Sequence, residues 1–136
     1  MEQQKEYKYV PKENVIVKKK LPNIGKVIMV ASGKGGVGKS TVAAGLALSL
    51  ALEGYSVGLL DADIYGPSIP TLFNLETVER PVLTEHEGKH LIEPHVRYGI
   101  KIMSIGFFFD TYQAIIWRGP MMSNGLKQMI NDTNWG

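Results

Sequence analysis

The chain has 136 residues, a formal net charge of +2 and no cysteine. That length supports one ordinary domain with a real core. A charge so near neutrality gives no case for nucleic acid or an anionic membrane as partner. The missing thiols exclude disulfides, thiolate metal sites and cysteine nucleophiles within this chain, and fit a reducing compartment. No apolar signal-peptide core is present. The longest mostly apolar run, Val42 to Leu52, falls short of the ~20 residues that cross a bilayer. The expectation is a soluble, cytoplasmic protein with no nucleic acid and no membrane among its partners.

Residues 1–22 are charged, carry Pro11 and Pro22, and include Lys18-Lys19-Lys20. They read as a flexible, solvated basic leader. Lys26 to Ala31 is rich in β-branched residues and reads as a buried strand. A glycine-rich loop follows. Ser40 to Glu53 then reads as a helix, apolar on nearly all sides, with a Val42, Leu46, Leu50 stripe. Such a helix packs on a sheet and is covered on its other side, and Gly54 is placed to end it. Ser56 to Leu60 reads as a second buried strand ending at Asp61. Strand, helix and strand with a short return make a βαβ unit with a parallel sheet.

The stretch from Tyr65 to Pro70 is turn-rich, and Thr71 to Leu75 reads as one short helical turn. Residues 76–100 are polar and irregular, with a hairpin expected around Glu87-Gly88. Ile100 to Ile105 is a third strand candidate. Pro120 sits where a helix starts, and Met122, Leu126, Met129 and Ile130 follow at helical spacing as core residues. His86, His90 and His95 read as solvated rather than metal-bound. Phe107 to Phe109 read as core.

Gly33 to Ser40, "GKGGVGKS", matches the phosphate-binding pattern G-x-x-x-x-G-K-[ST]. Phosphate oxygens need many N–H donors aimed at one point, so the backbone must wrap with little Cβ in the way. Gly33, Gly35, Gly36 and Gly38 permit that wrap around Lys34 and Val37. A helix opening at the loop adds free N–H groups and its dipole. The pattern assigns Lys39 to the β- and γ-phosphates of ATP and the Ser40 hydroxyl to Mg²⁺. Thr41 is a further candidate for a phosphate. Lys34 is a second cation, useful only where charge develops during phosphoryl transfer.

"VGLLDADIYGPSIP", residues 57–70, ends a strand with Asp61 and Asp63 on the edge where ligands of parallel sheets bind. Chemistry alone leaves two readings. Asp61 is a carboxylate that steadies Mg²⁺, or the pair belongs to a switch loop in which one carboxylate orients the attacking water.

"GKGGVGKST" resembles the deviant P-loop of the MinD, ParA and nitrogenase iron-protein group. The resemblance implies that Lys34 acts across a homodimer interface on the partner's nucleotide. "DADIYGPSIP", "SIGFF" at residues 104–108 and "AIIWRGPM" at residues 114–121 resemble the Mrp-type or ApbC subgroup of iron–sulfur cluster carriers. That resemblance implies an α/β P-loop NTPase fold with a mostly parallel sheet flanked by helices. It implies Asp63 as the water-positioning carboxylate, Asp61 as an indirect support of the Mg²⁺ shell, and apo iron–sulfur proteins as cluster recipients. Arg118, beside Trp117 and Gly119, reads equally as a phosphate or partner contact and as a structural residue. Members of the subgroup continue into a D-L-P-P-G-T-G-D-like loop and a C-x-x-C cluster pair. Residues 23–136 are therefore expected to be the N-terminal part of the ATPase domain, ending before the Walker B strand and lacking the cluster ligands. The competing expectations are a MinD- or ParA-type positioning scaffold, and a nucleotide-binding remnant without activity.

Overall fold

The computed structural model describes residues 21, 23–63, 66, 68–108 and 120–136. The expected leader lies almost wholly outside this set, as do Trp117, Arg118, Gly119, Phe109 and the side chain of Met122. Helix α1 spans Lys39–Leu52. Strand β1 covers Val57–Asp61 and the short helix α2 covers Ile69–Leu72. Strands β2 (Leu83–His86), β3 (Lys89–Ile92), β4 (His95–Arg97) and β5 (Ile100–Ser104) follow. A single 3₁₀ turn at Ile105–Phe107 leaves β5, and helix α3 covers Pro120–Asp132.

The main sheet has the order β1-β5-β4. β1 and β5 run parallel, with Val57 opposite Ile100 and Asp61 opposite Ser104. β4 and β5 are antiparallel, so this sheet is mixed. β2 and β3 form a separate antiparallel hairpin. Its turn is Glu87-Gly88, with φ of 50° and 77°, the two left-handed residues that a two-residue hairpin demands. Residues 105–108 carry the chain out of the sheet, and the Ser104 side chain accepts a bond from Gly106 N–H at 3.1 Å.

The core gathers where α1, β1, β5 and α2 meet. Ile100, Ile102 and Met103 have no exposed surface, and Leu59, Ile69, Phe73 and Leu75 pack with them. Phe107 and Met129 join this cluster, as their spacing predicts, with Leu126 and Phe108 partly buried beside it. β5 is the middle strand and is buried at every position but Lys101. α1 ends as its sequence predicts. Gly54 takes φ 89°, its N–H bonds Ala51 O at 3.0 Å, and Tyr55 N–H bonds Leu50 O at 3.1 Å. This is the paired closure that glycine at that position allows.

Two expectations fail. Lys26 to Ala31 is not a strand. Val27, Ile28 and Met29 are 72%, 62% and 85% exposed. A strand exists only against a neighbour that accepts its ladder, and among the described residues β1 pairs with β5 alone. The first βαβ unit is therefore not closed, and the parallel crossover runs from β1 to β5. The cover expected on the second side of α1 is also missing among the described residues. Ala44 and Ala47 are buried, with Ala43, Leu48 and Ala51 packed against the core, while Val42 and Leu46 face outward. Small side chains let the helix axis approach the sheet, and that approach selects the face.

Candidate functional site

The glycine loop runs from Ala31 into α1. Gly36 and Gly38 have φ of 75° and 89°, and Gly38 is the N-cap with no side-chain cap. A Cβ there would force a left-handed backbone on a chiral residue. The first helical bond runs from Val42 N–H to Gly38 O at 2.9 Å. The amides of Lys39, Ser40 and Thr41 precede it and have no partner within the helix. Ser32 Oγ donates to Lys34 O at 2.8 Å and braces the start of the loop. The side chains of Lys34, Val37 and Thr41 are exposed.

β1 delivers the opposing wall. Lys39 Nζ lies 3.2 Å from Asp63 Oδ2, and both side chains are about one-third exposed. Together with Ser40, Ala43, Asp61 and Ile69 they line a cavity of about 170 Å³ at the C-terminal end of β1. Ser40 Oγ accepts a short hydrogen bond from Ser68 Oγ. The structure thus brings Lys39, Ser40, Asp61 and Asp63 together around one opening, and leaves Lys34 on the exposed outer part of the loop.

Asp61 is 5% exposed. Its Oδ1 accepts from Asp63 N–H at 3.1 Å, and its Oδ2 accepts from Ile69 N–H at 3.2 Å and Ser104 Oγ at 3.3 Å. Burial raises its pKa above the usual carboxylate range, against those three bonds, and the charge of nearby Asp63 adds to the rise. Among the described residues its ion-pair partner is absent: Lys39 pairs with Asp63 instead. A buried carboxylate of this kind gains from a nearby cation. The donor set suits Mg²⁺, which keeps several waters and takes only one or two protein oxygens beside substrate phosphates. Ser40 is the group that would touch the ion. Asp61 is buried and already holds three hydrogen bonds from its own chain, so it would act on the water shell. Among the described residues no cluster of three or more His, Asp or Glu is placed to hold a metal.

Two residues at this site were not read from the sequence. Ser68 and Ser104 stand 28 and 43 positions from the groups they bond. Serine is common and long-range pairing leaves no local trace. The positions of Ser68 inside "DADIYGPSIP" and of Ser104 at the head of "SIGFF" were the only hints. The histidines take no part. His86 Nε2 lies 3.2 Å from Glu93 Oε1. His95 contacts Glu79 O at 3.0 Å and meets the Phe107 ring edge-on at 4.8 Å. His90 is exposed.

Residues 23–136 match the ParA-type family described as NUBPL iron-transfer P-loop NTPase. The chain belongs to that family. An iron-sulfur cluster carrier protein of Aquifex aeolicus is 50% identical over 123 residues, covering 90% of this chain and 33% of its own. One of Helicobacter pylori is 46% identical over 114 residues, covering 84% of this chain and 30% of its own. The chain thus spans about a third of the length of these curated relatives. Among solved structures, a nucleotide-binding protein from Archaeoglobus fulgidus in complex with ADP superposes with a TM-score of 0.60 at 40% identity. It covers 79% of this chain and 38% of that one. The expected α/β P-loop NTPase fold is therefore the fold of this chain, with parallel β1–β5 pairing and flanking helices.

Proposed function

We propose that the chain binds the phosphates of Mg²⁺–ATP and supplies the nucleotide-handling part of an iron–sulfur cluster carrier. One observation carries this reading: Lys39, Ser40, Asp61 and Asp63 converge where the glycine loop opens α1. The names of the curated relatives favour the carrier over a positioning scaffold.

The loop amides and the α1 N-terminus receive the phosphate oxygens. Lys39 exchanges its contact with Asp63 for the β- and γ-phosphates, whose charge exceeds that of one carboxylate. That exchange frees Asp63 to hold the attacking water. Ser40 would hold Mg²⁺, with Asp61 behind it, and the ion would supply charge neutralisation to the phosphates. The resemblance of the loop to the deviant P-loop group gives the exposed Lys34 a role on the nucleotide of a second copy, in a homodimer. A cluster needs thiolates, and this chain has no cysteine. The cluster is cargo whose thiolates these 136 residues do not supply, and apo iron–sulfur proteins receive it.

Calorimetric titration with ATP and Mg²⁺ tests the reading. The wild-type chain binds, and Lys39→Ala weakens binding by about 100-fold or more, in line with loss of a charge-assisted phosphate contact plus the preorganised loop. Equal affinity of the two would sink it. The steady-state ATPase rate falls with Asp63→Ala while nucleotide affinity holds.

A further inference from the structure

We propose that Ser68 is a positioning residue for Ser40, fixing the hydroxyl that faces Mg²⁺ and phosphate. The inference rests on the nucleotide-binding reading above and adds a residue that the P-loop pattern does not contain.

Ser68 Oγ donates to Ser40 Oγ. A serine hydroxyl has one proton and two acceptor lone pairs. Accepting from Ser68 uses one lone pair and leaves the other for the ion, with Ser40's own proton still available to a phosphate oxygen. An unsupported serine samples three rotamers, so this bond selects one. Groups one step behind a metal ligand orient it in just this way.

Both hydroxyls stand on fixed backbone. Ser40 is in the first turn of α1, which is anchored through Ala44 and Ala47. Ser68 is the N-cap of α2, and its carbonyl accepts from Leu72 N–H at 3.1 Å. The next residue, Ile69, is 2% exposed and its N–H bonds Asp61 Oδ2 at 3.2 Å. A continuous line of contact therefore runs from Asp61 through Ile69 and Ser68 to Ser40. Through it Asp61, already bonded three times by its own chain, fixes the backbone that aims Ser68.

The test is calorimetric titration of the chain with the non-hydrolysable analogue AMP-PNP, once in Mg²⁺ and once in EDTA. Wild type gains affinity in Mg²⁺. Ser68→Ala loses about five- to tenfold of that gain, while affinity in EDTA stays within about twofold. Ser68→Cys keeps the size but is a weak donor, and it behaves like alanine. Ser68→Thr keeps the hydroxyl and retains the gain. Equal losses in both buffers, or none in Mg²⁺, would overturn the proposal, because a merely structural serine does not discriminate between them. Wild type that binds in neither buffer removes the nucleotide-binding reading itself, and this inference with it.

Discussion

Asp61 and Glu93 each gather three hydrogen bonds, yet the protein moves their proton affinities in opposite directions. Asp61 sits between β1 and the start of α2, and burial holds its pKa up in spite of those bonds. Glu93 follows β3. Its Oε1 accepts from Thr84 Oγ1 at 2.6 Å and Asn134 Nδ2 at 3.0 Å, with His86 Nε2 at 3.2 Å. Those bonds, Thr84 first, hold its pKa down, because a side chain about one-third exposed loses little hydration. The difference separates two uses of one functional group. Glu93 is content as an anion and ties the hairpin to the segment after α3, where Asn134 N–H also bonds Ile92 O at 2.9 Å. Asp61 is buried with no cationic partner among the described residues.

Removing the carboxylates sharpens this contrast most. Asp61→Ala leaves the Ile69 and Asp63 amides and the Ser104 hydroxyl without their acceptor. It should cost about 2–4 kcal/mol in urea unfolding, the penalty for buried donors left unmade. Asp61→Asn keeps one acceptor and sheds the charge, and should cost less than half as much. Glu93→Gln should cost about 0.5 kcal/mol, since its partners can turn to water.

The pH dependence of those costs has opposite sign. The folded pKa of Asp61 lies above 3.8. The native state therefore holds that proton more tightly, and wild type loses stability as pH rises from 3.8 to the folded value. The deficit of Asp61→Asn relative to wild type should shrink over that window. The folded pKa of Glu93 lies below 4.5. Its contribution is complete above 4.5 and is lost as pH falls through the folded value, so the deficit of Glu93→Gln should shrink toward low pH. Two profiles sloping the same way would break the contrast.

A link between the two regions is tested at the other end of β1. A Cβ on Gly58 would lie 2.6 Å from Trp135 Cε3, and the Trp135 ring is held by Nε1 donating to Ile130 O at 3.0 Å. Gly58→Ala must therefore move the ring and its neighbour Asn134. The expected loss is about 1–2 kcal/mol, with a change in tryptophan fluorescence. The Glu93 pKa, followed by NMR, should move back toward 4.5 while that of Asp61 does not respond.

What the sequence disclosed follows from how local each feature is. Glu87-Gly88 and Gly54 announce a turn and a helix end because left-handed backbone is a local demand. Lys39 and Ser40 were legible because the phosphate pattern is contiguous, and Asp61 and Asp63 because they end an apolar strand. The Ser68–Ser40 and Ser104–Asp61 contacts join residues far apart in sequence and left no such mark. Val27 to Met29 misled for a different reason. A β-branched run states that a segment suits a strand, but not which neighbour receives it. Which face of α1 packs was not legible, because alanine carries little hydrophobic signal yet makes the closest packing.

The smallest expected effect is the one that decides whether residues 26–31 form a strand. Ile28 is 62% exposed, between neighbours that are more exposed still. Substituting a solvated side chain removes few contacts, so Ile28→Ser should change stability by no more than about 0.5 kcal/mol. If residues 26–31 instead formed a buried strand, the same change would place a hydroxyl in the core and leave a cavity, at a cost of about 2–4 kcal/mol. The two outcomes are separated by several times the error of a denaturation curve. A large loss would mean that the site's glycine loop is mounted on the sheet. A negligible one would mean that α1 and the Asp61–Ile69–Ser68 line hold the loop, and that its entrance from residue 26 contributes little rigidity.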